Sequence, residues 1–390
     1  MYQSLTREKR RENMDFNLTR EQEMLRNMVR EFAEKDLAPK ALELDNKGEF
    51  PADVIKKMCE LGLGGTLGKK EYGGSAMGHL ASILSVEEIS RVYPPAGFCL
   101  EGIHSAIALI QNAGTEEQKK NLLPRLIKGE KIPCVGVTEA TGGSDPSVMQ
   151  TVARPEGDEF VIDGRKVWIT LAPVADIICF LATVDGKATA FYVEDGTPGF
   201  EKGHRADQVG LKSVPIGEFA FTGCRIPRSN MIGKEGGGLP AALTVFSTVA
   251  RPNVAAIALG VAEGAYEVAL KYCKERKLYG APIANLQAIQ FSLADMSTEI
   301  EAARWLCYYG VWKADQGKSV REVAVDTARA KVFATEVAIK TCVRATQLMG
   351  GYGLSPEYEV IRRLQDALEL FPAAGTSEIM RVTIGRSITR

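Results

Sequence analysis

The hydrophobic period of the chain changes twice, and this constrains the fold more than any single motif. From about residue 17 to 130, apolar residues recur at helical spacing. Thr19 and Gln22 stand three apart, as a capping box requires, and Met24, Met28 and Phe32 follow at helical intervals. Asp53–Leu61 and His79–Val92 read as further amphipathic helices. Thr115–Lys128 is another, opened by Thr115 with Gln118 three residues on. Pro39 and the cluster Gly62, Gly64 and Gly65 punctuate these elements.

Near residue 133 the period shortens. Phe160-Val161-Ile162, Asp163-Gly164, then Val167-Trp168-Ile169 predicts a hairpin with a tight turn. Ile177–Val184, Asp185-Gly186, then Thr189–Val193 repeats the device, and Glu218–Phe221 alternates like a strand. Helical spacing returns after Gly236-Gly237-Gly238 and runs through 240–275, 284–316, 320–349 and 356–371. Segregated blocks of helix, strand and helix predict an α+β protein, not an alternating parallel sheet. The expected divisions are an extension at 1–13, a helical domain at 14–132, a β domain at 133–235 and a helical bundle at 236–390.

Composition removes several function classes. Lys plus Arg number 48 and Asp plus Glu 49, so nothing points to nucleic acid or an anionic membrane as partner. No apolar run stands out as a membrane span, and the charged start (Arg7 to Glu12) does not resemble a signal peptide. Eight cysteines without a C-x-x-C pair read as reduced core residues of a cytoplasmic protein. The three scattered histidines give no metal cluster, so no metal is expected. No G-x-G-x-x-G follows a strand, which argues against a nicotinamide-nucleotide fold.

Four motifs carry a resemblance. They are Val137-Thr138-Glu139-Ala140-Thr141-Gly142-Gly143-Ser144-Asp145 with Lys166–Thr170, Glu275–Ile283 continuing to Gln287, Gln347–Gly353, and Gly375–Arg381. In this order and spacing the chain resembles the acyl-CoA dehydrogenase family from about Asp15 to Arg390. The resemblance implies an N-terminal helical domain, a middle β domain and a C-terminal four-helix bundle, with FAD as cofactor and a CoA thioester as substrate. It implies that Val137, Thr138, Ser144, Trp168 and Thr170 surround the flavin. Arg276, Tyr279, Gln287, Gln347, Gly350, Gly351, Thr376 and Glu378 would hold the rest of the FAD. Ser144 and Arg251 would also touch the thioester. Because such FAD sites lie between subunits, a homotetramer is implied, with electron-transferring flavoprotein as the electron acceptor.

One position departs from the family pattern. Most members place a Glu directly before Gly-Thr as the base that removes the α-proton, and here that residue is Ala374. A minority carry the Glu just before the Arg matching Arg251, and here that residue is Ala250. Loss of a general base costs on the order of 10²–10⁴ in rate. The backbone N–H of Ala374 would still donate to the thioester carbonyl. Glu101, in the apolar run Phe98–His104, is the leading replacement as catalytic base, and His104 is the second candidate. A base there would serve a cyclic or already unsaturated acyl group, as in the cyclohex-1-ene-1-carboxyl-CoA dehydrogenases, which also lack the usual Glu. Three alternatives stay open. One is ordinary α,β-dehydrogenation with a non-standard base. Another is a desulfinase-like lyase, although Phe98 replaces the Arg that such a relative uses. The third is a non-catalytic FAD and acyl-CoA binding protein.

Overall fold

The computed structural model describes residues 17–389; the expected extension at 1–13 lies outside them. The chain opens with α1 (Arg20–Phe32), capped by the reciprocal Thr19–Gln22 box. Its buried stripe is Leu25, Val29 and Phe32, while Met24 is 62% exposed. Of the expected Met24, Met28 and Phe32 line, Phe32 is buried and Met28 packs partly buried against the core, while Met24 faces outward and Leu25 and Val29 complete the stripe. Helices α2 (Ala41–Lys47), α3 (Ala52–Glu60), α4 (Gly78–Val92), α5 (Pro94–Ala113) and α6 (Glu116–Ile127) follow. The Thr115–Gln118 capping box forms as expected.

The middle of the chain is an eight-stranded sheet. Its strands are β1 (Pro133–Gly136), β2 (Val152–Glu156), β3 (Glu159–Thr170), β4 (Ile177–Val184), β5 (Lys187–Glu194), β6 (Phe200–Arg205), β7 (Ile216–Pro227) and β8 (Met231–Ile232). Their order is β6-β7-β3-β2-β4-β5-β8, with β1 beside β4 in parallel. Phe160, Phe180, Phe191, Phe200, Phe219 and Phe221 pack ring to ring in its core.

One expected hairpin is absent. Asp163-Gly164 does not reverse the chain, because β3 runs straight through it and pairs with β7 on both sides of a bulge. Gly164 has φ +147°, and a Cβ there would lie 2.5 Å from Thr151 Oγ1. The glycine thus serves a bulge with close backbone approach rather than a turn. The actual turn is Gly157-Asp158, between β2 and β3. Asp185-Gly186 does turn between β4 and β5, with φ +47° and +75°, as a two-residue hairpin demands.

The last block contains α7 (Gly238–Val245), a π-helical segment (Phe246–Ala250), α8 (Arg251–Glu275), the two-residue strands β9 (Lys277–Leu278) and β10 (Ala281–Pro282), α9 (Gln287–Asp315), α10 (Val320–Met349), α11 (Val360–Glu369) and α12 (Ser377–Ile388). Helix α10 packs against α8, α9, α11 and α12, and α4 packs onto α8 and α9. The continuous stretch Gly238–Glu275 is long and apolar enough to cross a membrane by length and composition, contrary to the reading of the sequence. However, 89% of its most apolar window is buried inside the protein. A helix surrounded by neighbours needs apolar residues all round. All eight cysteines are buried free thiols.

Candidate functional site

The first group of expected site residues is assembled by a second irregularity in β3. The register with β7 shifts between Lys166 and Ile169, and within this bulge Trp168 takes φ +59°. Its indole is left 65% exposed, which is rare for so large an apolar side chain. Val167 N–H donates to the Thr138 carbonyl at 3.0 Å, so the two motifs meet edge to edge. A Cβ on Gly143 would touch Thr138 Cγ2 at 3.0 Å, which brings the Gly142-Gly143-Ser144 turn onto the same spot.

Beneath this bulge lies a pair that inspection of the motifs did not single out. Lys166 is wholly buried, and its ammonium sits 2.7 Å from Glu139. Glu139 also accepts from Gln150 N–H, Thr151 N–H and Thr151 Oγ. A buried lysine requires such a partner. Both residues fall inside the quoted motifs, and an acidic and a basic residue flanking an expected cofactor edge was the available signal.

The bulge is tied to the helical block through α5. A Cβ on Gly102 would meet Leu171 Cδ1 at 3.2 Å and Thr170 Cγ2 at 3.5 Å. Glu101, the preceding residue, is buried at 7% exposure. Burial pushes its carboxyl up to about 7, against the hydrogen bond from Ser105 Oγ at 2.7 Å. His104 is fully buried. Its Nδ1 lies 2.9 Å from Ser82 Oγ, and its Nε2 lies 2.8 Å from the Leu63 carbonyl. Burial lowers its pKa to about 4, so the ring is neutral with both nitrogens engaged. This geometry supports helix packing and leaves His104 no free proton or lone pair to offer a substrate.

The second group surrounds Ala374, in the loop between α11 and α12. Ala374 has φ +52°, an uncommon conformation for a residue with a side chain, and Gly375 follows at φ +103°. Among the described residues the Ala374 N–H has no protein acceptor. Arg251 Nε reaches the Ala374 carbonyl at 3.5 Å, and its Nη1 donates to Ser247 Oγ at 3.2 Å. Burial lowers the Arg251 pKa to about 10. Ala250 is buried too, at the end of the π-helical segment, against which α5 packs. Thr376 caps α12 by accepting from Ile379 N–H at 3.3 Å, and Glu378 lies in its first turn.

The third group stands apart. Tyr279 (φ +52°, 97% exposed) and Gly280 form the turn of the β9–β10 hairpin. Arg276 and Gln287 flank it, both exposed. Gln347, Gly350 and Gly351 end α10 at the surface, with nothing within 4 Å of either missing Cβ. Among the described residues no hydrogen bond joins this group to Trp168 or Ala374.

These features fit FAD. An exposed indole on a bulged strand, hydroxyls on Thr138, Ser144 and Thr170, and an open glycine pair suit a flat ring with a polar edge and a long polar tail. Comparison with known proteins agrees. Residues 19–130, 134–224 and 236–389 match the N-terminal, middle and C-terminal domains of acyl-CoA dehydrogenase respectively. The chain is 42% identical over 383 residues to a short-chain-specific acyl-CoA dehydrogenase of Clostridium acetobutylicum, covering 97% of this chain and 100% of that one. It is 38% identical to an acryloyl-CoA reductase (NADH) of Anaerotignum propionicum, covering 98% of each. The butyryl-CoA dehydrogenase structure from Megasphaera elsdenii superposes with a TM-score of 0.94 at 37% identity, covering 97% of this chain and 100% of that one. Three matched domains in order along one fold show that the chain belongs to the acyl-CoA dehydrogenase family, whose members are FAD-dependent oxidoreductases acting on CH–CH groups.

Proposed function

We propose that this enzyme oxidises a CoA thioester whose acyl group is cyclic or already unsaturated, by 1,4-elimination of the cyclohexene-carboxyl-CoA kind. The observation that carries the reading is a displacement of the acid. Position 374 is a methyl group whose N–H has no protein acceptor among the described residues, while a buried carboxylate stands on α5 one residue from the contact with Thr170. The Ala374 N–H donates to the thioester carbonyl and polarises it. In an α,β-unsaturated thioester that polarisation acidifies the γ-carbon through conjugation. Glu101, held near neutrality by burial, takes the γ-proton. FAD, when bound, supplies the acceptor for the hydride that leaves the ring at the same time. Proton and hydride together account for the two electrons and two hydrogens lost.

Val137, Thr138, Trp168 and Thr170 hold the flavin ring. Ser144 bridges flavin and thioester, and Arg251 fixes the loop that grips the carbonyl. Arg276, Tyr279 and Gln287 reach the FAD of a neighbouring subunit in a homotetramer, and Gln347, Gly350, Gly351, Thr376 and Glu378 complete that pocket. The exposure of the hairpin in a single chain supports this placement. Electron-transferring flavoprotein is the proposed acceptor and the cytoplasm the proposed compartment.

Similarity to the acryloyl-CoA reductase favours a second reading, reduction of an unsaturated thioester, in which protonated Glu101 delivers the proton. A bleaching screen of the oxidised holoenzyme decides between these readings. Flavin reduction confined to cyclohexenoyl-type thioesters supports 1,4-elimination. Fast bleaching by butyryl- or octanoyl-CoA overturns it. Reoxidation of the reduced enzyme by enoyl thioesters, without bleaching by any saturated or cyclic one, supports the reductive reading.

A further inference from the structure

Lys331 lies outside every motif that carries the family resemblance, yet it is one of the largest fully buried side chains in the protein. It projects from the middle of α10. Its Nζ donates to the Phe371 carbonyl at 2.6 Å and to the Gly375 carbonyl at 3.0 Å. It forms no salt bridge with a carboxylate among the described residues, unlike the other wholly buried lysine, Lys166. Both of its bonds go to the loop 371–375 that carries Ala374.

That loop has no regular structure of its own. Pro372 has no N–H, and Ala374 and Gly375 both have positive φ. Among the described residues the N–H groups of Ala373, Ala374 and Gly375 find no protein acceptor. The carbonyls, in contrast, are claimed by two cations: Phe371 and Gly375 by Lys331, and Ala374 by Arg251 at the longer distance of 3.5 Å. Drawing the carbonyls of a strained turn to one side leaves its amides directed elsewhere, which is how a main-chain nest presents N–H groups to an oxyanion.

We propose that Lys331 is a positioning residue for the carbonyl grip: by holding the carbonyls of Phe371 and Gly375 on either side of Ala374, it fixes the peptide plane whose N–H polarises the thioester. This rests on the reading of Ala374 given above. Burial is a heavy cost for an unpaired ammonium, and a lysine serving only as packing would be replaced by an apolar side chain at no loss. Burial and the charge of Arg251, opposed by Glu378, lower the Lys331 pKa to about 7. The charged and neutral forms both donate N–H bonds, so the contacts do not depend on either form alone.

The test is the carbonyl stretch of a non-reacting CoA thioester labelled with ¹³C at C1, read by infrared difference spectroscopy on the FAD-loaded enzyme. Wild type is expected to shift the band to lower frequency than in water. Lys331→Met is expected to lose most of that shift. Its flavin-reduction rate constant at saturating thioester should fall about 10–100-fold, less than the loss of a whole oxyanion donor, with flavin content and half-saturation nearly unchanged. Lys331→Gln, whose shorter amide reaches at most one of the two carbonyls, is expected to show an intermediate shift and keeps the test open should the Met variant fail to fold. A full wild-type shift in either variant overturns the role of Lys331 while leaving the grip intact. No shift in wild type removes the grip itself, and Lys331's role with it.

Discussion

Ser105 Oγ donates to the Glu101 carboxylate at 2.7 Å across one turn of α5, and this is the only hydrogen bond that carboxylate receives among the described residues. A single neutral donor does not offset burial, so the acid stays near neutrality and is poised to exchange a proton. Glu101→Gln keeps the shape and the Ser105 contact but cannot accept a proton. Flavin reduction by the cyclic or unsaturated thioester should fall on the order of 10²–10⁴-fold. Stopped-flow bleaching measures this, with the flavin-to-protein ratio as the control. Unchanged bleaching would exclude Glu101 as the base.

The same carboxyl sets a pH dependence of stability. Its folded pKa of about 7 lies above the ordinary value of 4.5, so between these values the folded state binds more protons than the unfolded one. Stability therefore declines as pH rises through that window, by roughly 3 kcal/mol from this group when complete. Asp366, also raised to about 7 by burial, adds a decline of the same sign. Denaturant titrations from pH 4.5 to 8 should show a shallower decline in Glu101→Gln than in wild type. In the forward reaction the rate should rise through pH 7 as the base ionises, and parallel stability curves for the two proteins would contradict the assignment.

Ala374→Glu restores the acid that most of the family carries, at a backbone position already fixed by its neighbours. It should confer bleaching by butyryl-CoA at a rate on the order of 10²–10⁴ above wild type. Steady-state turnover with a dye acceptor checks the gain. If the variant binds FAD and the thioester but gains nothing, the loop does not present residue 374 to the α-carbon.

Lys166→Met leaves Glu139 as a buried charge under the Trp168 bulge. Removing one member of such a pair costs about 3–5 kcal/mol. Thermal melts should register the loss, and flavin content should fall because Val167 and Trp168 lose their support. Lys166→Met together with Glu139→Gln removes both charges and should recover part of the stability.

The block order and the helix caps were legible because they depend on neighbours in sequence. Thr19 with Gln22, and Thr115 with Gln118, needed nothing beyond one helical turn. The turn at Asp185-Gly186 was legible for the same reason, while the identical dipeptide at Asp163-Gly164 was not. What separates them is β7, which pairs with both halves of β3 and holds the chain straight. Likewise Met24 and Leu25 are both apolar, and the packing surface places Leu25 inside and Met24 outside.

Residue identity at fixed spacing was enough to read the succession of helix, strand and helix, the family motifs, and the replacement of an acid by Ala374. Tertiary structure decided the rest. It lifted the pKa of Glu101 by enclosing it in α5 and its neighbours, engaged both nitrogens of His104, and set Lys331 against a loop 40 residues further along the chain. Desolvation and contacts between distant segments exist only once the chain has closed on itself, and no local pattern encodes them.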